Sequence, residues 1–115
     1  MSRLKRLAAI GLLSVINYSH AYFVDGNTLL ERMEDQGSVK PMVALGFVLG
    51  VADSFEGSEI CLPENVRAQQ LYDLVRDWLR ANPDKRHIQA AAIVLVVLRR
   101  TWPCQKADLD RGSKM

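Results

Sequence analysis

The sequence predicts an all-α fold, a small four-helix bundle with one intramolecular disulfide, preceded by a signal peptide. Three observations predict it. Apolar residues recur at three- and four-residue steps across residues 65–81. Two further stretches, residues 42–52 and 88–98, are apolar almost throughout and are longer than ordinary buried strands. Asp, Asn, Pro and Gly stand between these stretches where helices start and stop.

The first helix is expected to open at Asp25-Gly26-Asn27, since Asp and Asn side chains accept bonds from the free amides of a first turn. Leu29, Leu30 and Met33 then share one side, and Gly37 ends the helix. The second begins near Ser38, with Pro41 in its first turn, where a missing N–H costs little. Residues 42–52 are apolar all round, the pattern of a central helix covered by neighbours. Gly46 and Gly50 lie four apart, and each weakens a helix by up to about 1 kcal/mol against Ala. Close approach of another backbone is the expected return.

The third helix spans residues 65–81. Val66, Leu71, Leu74, Val75, Trp78 and Leu79 form its stripe, and Arg, Gln and Asp fill its other side. Asn82-Pro83 stops it, because the residue before Pro avoids helical angles. The fourth is expected from Pro83 or Asp84 to about Thr101. Its β-branched Ile93, Val94, Val96 and Val97 would suit a buried strand, yet its length and Pro-Asp start favour a helix. Arg99 and Arg100 complement the negative end of its dipole.

The first 21 residues stand apart from this bundle. Arg3, Lys5 and Arg6 precede an apolar run over residues 7–16, and Ser19-His20-Ala21 supplies a small-x-small exit. That order describes a secretory signal peptide, cleaved after Ala21. The run is too short for a stable membrane span, which takes roughly 20 apolar residues. The expected organisation is a signal peptide over residues 1–21, a helical domain over 22–105 and a flexible polar tail over 106–115, with a periplasmic destination.

The full chain carries a formal charge of +2, and removing the three signal cations leaves −1. The remaining charges are mixed along the sequence without a basic block, so no nucleic-acid partner is implied. Two cysteines remain, Cys61 and Cys104. In an oxidising compartment an even count reads as a disulfide, and only one intramolecular pairing exists; free thiols or a bond to another chain are the alternatives. A metal site is not implied, since His87 is the single His after the signal segment and no Cys-x-x-Cys occurs.

Catalytic parts are scarce. His87 stands beside Lys85 and Arg86 at a helix start, where it reads as a solvated side chain. Asp53, Glu56 and Glu59 could in principle form an acid–base pair of the glycosidase kind, but their spacing is not specific to it. No Gly-rich phosphate loop or nucleophile elbow appears, and no cofactor is implied. The expected role is protein binding and not catalysis.

The motifs over most of the exported region resemble the Rap/Tai family of type VI secretion immunity proteins. Gly26, Leu29 and Leu30 match the family's opening, and Gly46-Phe47-Val48 with Gly50-Val51-Ala52-Asp53 match its central helix. Cys61-Leu62-Pro63, Gln70-Leu71, Asn82-Pro83, Ala91, Leu98 and Trp102-Pro103-Cys104 follow in family order. Members often carry Cys at the positions of Met33 and Ala44; both are absent here, as if one bridge was lost as a unit. Phe47 replaces the usual Tyr.

The resemblance implies a periplasmic homodimer that binds a secreted peptidoglycan amidase effector and places a loop against its active-site groove. The candidate loop is residues 54–63, with Phe55 beside Gly57 as apolar anchor and Asp53, Glu56 and Glu59 as charged contacts. The alternative is a periplasmic acid-stress chaperone, also small, helical and single-disulfide. Such proteins carry a Cys within the first long helix, where this chain has Met33. They would open at about pH 3, as carboxylates protonate and self-repulsion grows.

Overall fold

A computed structural model describes residues 23–106. The expected signal peptide, residues 1–21, and all but the first residue of the expected tail lie outside the described residues. Four α-helices are present among them: α1 Gly26–Glu34, α2 Lys40–Phe55, α3 Ala68–Ala81 and α4 Ala90–Thr101. A short 3-10 turn, Pro83–Lys85, follows α3.

Helix α1 starts where its sequence directs. Asp25 is extended at φ −97° and ψ 177°, and its Oδ1 accepts the Thr28 amide at 2.8 Å. That bond holds the Asp25 carboxyl below its ordinary value. Leu29, Leu30 and Met33 are buried, and Gly37 takes the left-handed conformation at φ 85° just past the helix. Helix α3 buries Leu71, Tyr72, Val75 and Leu79, a strict stripe. It begins at Ala68, three residues later than expected, because the Arg67 amide donates to Gln70 Oε1 at 2.7 Å and closes the turn there. The core runs continuously from these residues to Ala44, Val48 and Ala52 of α2 and Ala90, Ile93, Val94, Val97 and Leu98 of α4.

Two expectations are corrected. Residues 86–89 are not helical, so α4 starts at Ala90 and not at Pro83 or Asp84. Their backbone groups are engaged with the segment that leads into α1: Gly26 N donates to Ile88 O at 2.9 Å, Asn27 N to Arg86 O at 2.9 Å, and Ala90 N to Val24 O at 2.9 Å. A helix would need those same groups for itself. His87 therefore sits exposed in this crossing, not in a helical first turn.

The second correction concerns glycine. A Cβ added at Gly46 or Gly50 would meet nothing within 4 Å, so no backbone approaches them. Helix α2 is covered on one side only, by way of Ala44, Val48 and Ala52, while Val39, Met42 and Val43 are exposed. The close approach occurs instead at Gly26, where a Cβ would stand 2.8 Å from both Arg86 O and Ile93 Cδ1. The glycine that packing requires is the one at the crossing.

Candidate functional site

The segment from the end of α2 to the start of α3 is the candidate site, and its shape is set by the backbone. The Phe55 carbonyl accepts the amides of Ser58 at 3.1 Å, Glu59 at 3.0 Å and Ile60 at 3.1 Å. Gly57 lies at φ 85°, a conformation that favours glycine, and its amide donates to Ile60 O at 2.8 Å. The result is a tight five-residue turn over residues 56–60.

Three features pin this turn to the bundle. Ile60 is fully buried and joins the core. Cys61 is bonded to Cys104 with Cα atoms 4.8 Å apart, and the Cys61 amide donates to Trp102 O at 3.0 Å. The Glu56 carboxylate accepts the Leu62 amide at 3.0 Å across the base of the turn. The disulfide thus joins the approach to α3 to the end of α4, as the sequence led one to expect.

The five candidate residues divide by position. Phe55, the last residue of α2, is half-buried and packs against the core, so it supports the turn from beneath. Glu56, Gly57 and Glu59 are exposed on the turn itself. Glu59 is paired with Arg99 of α4 at 3.2 Å, both about half exposed. Asp53 is also exposed, but it stands on α2, one helical turn before the loop. The sequence reading missed Ile60 and Arg99. A lone Ile directly before a disulfide Cys, inside a Gly- and acid-rich stretch, was the available signal for a buried plug. Arg99 carried none, since its partner lies 40 residues away.

Two clefts lie elsewhere. One of about 310 Å³ is bordered by Met33, Met42, Leu45, Tyr72, Arg76 and Arg80. Its cations are engaged, Arg76 with Asp73 and Asp77 and Arg80 with Glu34. The other, of about 280 Å³, lies between Trp78 and Ile93 with Lys85 and Arg100 at its edge. Neither brings a nucleophile to a base. Among the described residues no group of three or more His, Cys, Asp or Glu could hold a metal ion. Among them, too, no helix is long and apolar enough to cross a membrane.

The turn therefore carries an exposed acidic tip on a base fixed by a core side chain, a disulfide and backbone bonds. A search of curated proteins found no match. A family model describing Rap1a immunity proteins matches residues 25–104, which include all four helices, both cysteines and the turn over residues 56–60. With most of its length covered by that match, the chain belongs to the Rap1a immunity protein family.

Proposed function

We propose that this protein is a periplasmic immunity protein that binds a peptidoglycan amidase effector of a type VI secretion system and occludes its active site. The surface assigned to the effector is the exposed part of the turn, Glu56, Gly57 and Glu59, with Asp53 and Phe55 at its edge. The observation that carries the reading is the pinned turn. Inhibition by occlusion needs no chemistry, only a protrusion that keeps its shape when it enters a groove. A turn already held by Ile60 and the Cys61–Cys104 bond loses little conformational freedom on binding, so more of the contact energy appears as affinity. The acidic tip suits a groove with a positive rim. The protein acts as a homodimer in this reading, and export by the signal segment brings it to the compartment where the effector attacks the cell wall.

The test is rescue from toxicity. Candidate amidase effectors from the same genome are directed to the periplasm of a host with and without this protein. The expected result is survival with the protein present and a stable complex on co-purification. Lysis that proceeds unchanged while the protein is folded and abundant would overturn the reading.

A further inference from the structure

The cleft between α3 and α4 is bordered by apolar side chains that the core does not use. Ala92 and Val96 lie four residues apart on α4, and Ile88 stands four residues before them in the segment that leads into the helix. None of the three belongs to the core cluster, and Ile88 is 38% exposed. Trp78 of α3, half-buried, borders the same cleft. From Ala92 to Arg100 the helical face is about 12 Å long, at 1.5 Å per residue.

A cation reaches this apolar strip from either side. Lys85 enters from the 3-10 turn before α4, and Arg100 from the last turn of α4. None of the residues that border the cleft is acidic. Among the described residues neither cation has an ion pair or a side-chain hydrogen bond. Other cations of the bundle are engaged: Arg76, Arg80 and Arg99 each meet a carboxylate, and Arg86 donates to Leu79 O at 2.8 Å. Two free cations flanking an apolar strip complement a ligand that carries carboxylates on either side of an apolar body.

The walls decide the form of that ligand. Helices α3 and α4 use their backbone groups internally, and the carbonyls of Lys85, Arg86 and Ile88 already accept amides. An extended strand laid in the cleft would find no main-chain partners and would keep its own backbone groups unpaired. A helix satisfies its own backbone, and the small side chain of Ala92, between Ile88 and Val96, lets a helix axis come close. We infer that this cleft is a docking groove for an amphipathic helix of a partner protein. Its apolar stripe covers Ile88, Ala92 and Val96, and its acidic residues, about two turns apart, meet Lys85 and Arg100. No residue of the groove belongs to the turn over residues 56–60, so this inference and the proposed function can fail separately.

The probe is a labelled synthetic helical peptide with Leu at i, i+3 and i+4 and Glu on both flanks, about two turns apart. Its anisotropy is followed against the purified protein up to about 1 mM, without any effector. Saturable binding is expected, with a dissociation constant of about 10–500 µM. Ala92→Gln, at an exposed position, should raise that constant at least about 10-fold and leave the melting temperature unchanged. Lys85→Glu with Arg100→Glu should reject the acidic peptide and accept the same peptide with Lys in place of Glu. No binding, equal binding of the two peptides by the wild-type protein, or binding indifferent to both variants would overturn the inference. So would saturable binding of dodecanoate, sensitive to the same variants, by a protein that ignores the peptide, which would give the groove to a small amphiphile.

Discussion

The Tyr72 hydroxyl donates to the Met33 carbonyl at 3.1 Å and ties the second turn of α3 to the last turn of α1. Both residues are largely buried, at the margin of the cleft that they border. Burial also raises the Tyr72 pKa above its ordinary value. Tyr72→Phe should cost about 1 kcal/mol, because it removes the shorter of two hydrogen bonds to the Met33 carbonyl and leaves only that from Gln36 Nε2 at 3.4 Å. The raised value belongs to the folded state. The contribution is thus intact below about pH 10, the unfolded value, and is lost as pH climbs through the folded one. Urea titrations at neutral pH and above pH 10 check both points: wild type should lose stability in the alkaline range and Tyr72→Phe should lose less.

Asp25 gives the opposite pH dependence. Its folded value is depressed by the Thr28 amide, so its contribution is present above the unfolded value of about 3.9 and fades as pH falls through the folded one. Asp25→Ala should cost about 1 kcal/mol near neutrality. Asp25→Asn should keep most of that stability and lose its acid dependence. Thermal melts between pH 2 and about 7 distinguish the two variants.

Glycines 26 and 46 should respond in opposite directions to the same change. Gly26→Ala places a methyl 2.8 Å from Arg86 O, a backbone atom that can move only with its segment, and should cost about 1–3 kcal/mol. Gly46→Ala meets open space inside a helix and should stabilise the monomer by up to about 1 kcal/mol. Denaturant midpoints of the two variants are the readout.

Cys61 and Cys104 close a loop with a sequence separation of 43 residues. The chain-entropy model gives such a bridge about 4 kcal/mol, a large share of the stability of a small domain. Cys61→Ser with Cys104→Ser should lower the unfolding free energy by up to that amount. It should also loosen the turn, seen as faster amide exchange at residues 57–62.

Recognition can be separated from stability at Glu59. Its pair with Arg99 is about half exposed, and such pairs contribute about 0–1 kcal/mol. Glu59→Arg should leave the melting temperature nearly unchanged and lower protection in the rescue assay. Full protection by this variant at wild-type abundance would remove Glu59 from the proposed contact.

Much of this bundle is legible in the sequence because its signals are local. The Asp25 cap, the Leu71–Val75–Leu79 stripe and the single possible cysteine pairing each need only a few neighbouring residues or a count of two. Residues 86–89 are not legible, because their helical preference is overridden by hydrogen bonds to residues 24–27, some sixty positions away. The apolar circumference of α2 points to full burial, but composition does not say which side of the helix the other helices reach, and Val39, Met42 and Val43 stay exposed. At the site, the acidic Gly turn is visible in the sequence, while its anchoring is not. That depends on Ile60 entering a core made by other segments and on Trp102 offering its carbonyl to Cys61.

The pinned turn also divides the protein's freedom to change. Its path is dictated by Gly57, Ile60, the cysteines and main-chain atoms, whereas Ser58 and Glu59 face solvent and take no part in the core. Under the proposed contact, heritable variation at those two tip positions follows an effector that is itself changing, while the scaffold beneath is inherited intact. Conflict between neighbouring strains would then be recorded in two or three side chains, and the ancestry of the fold in everything that holds them up.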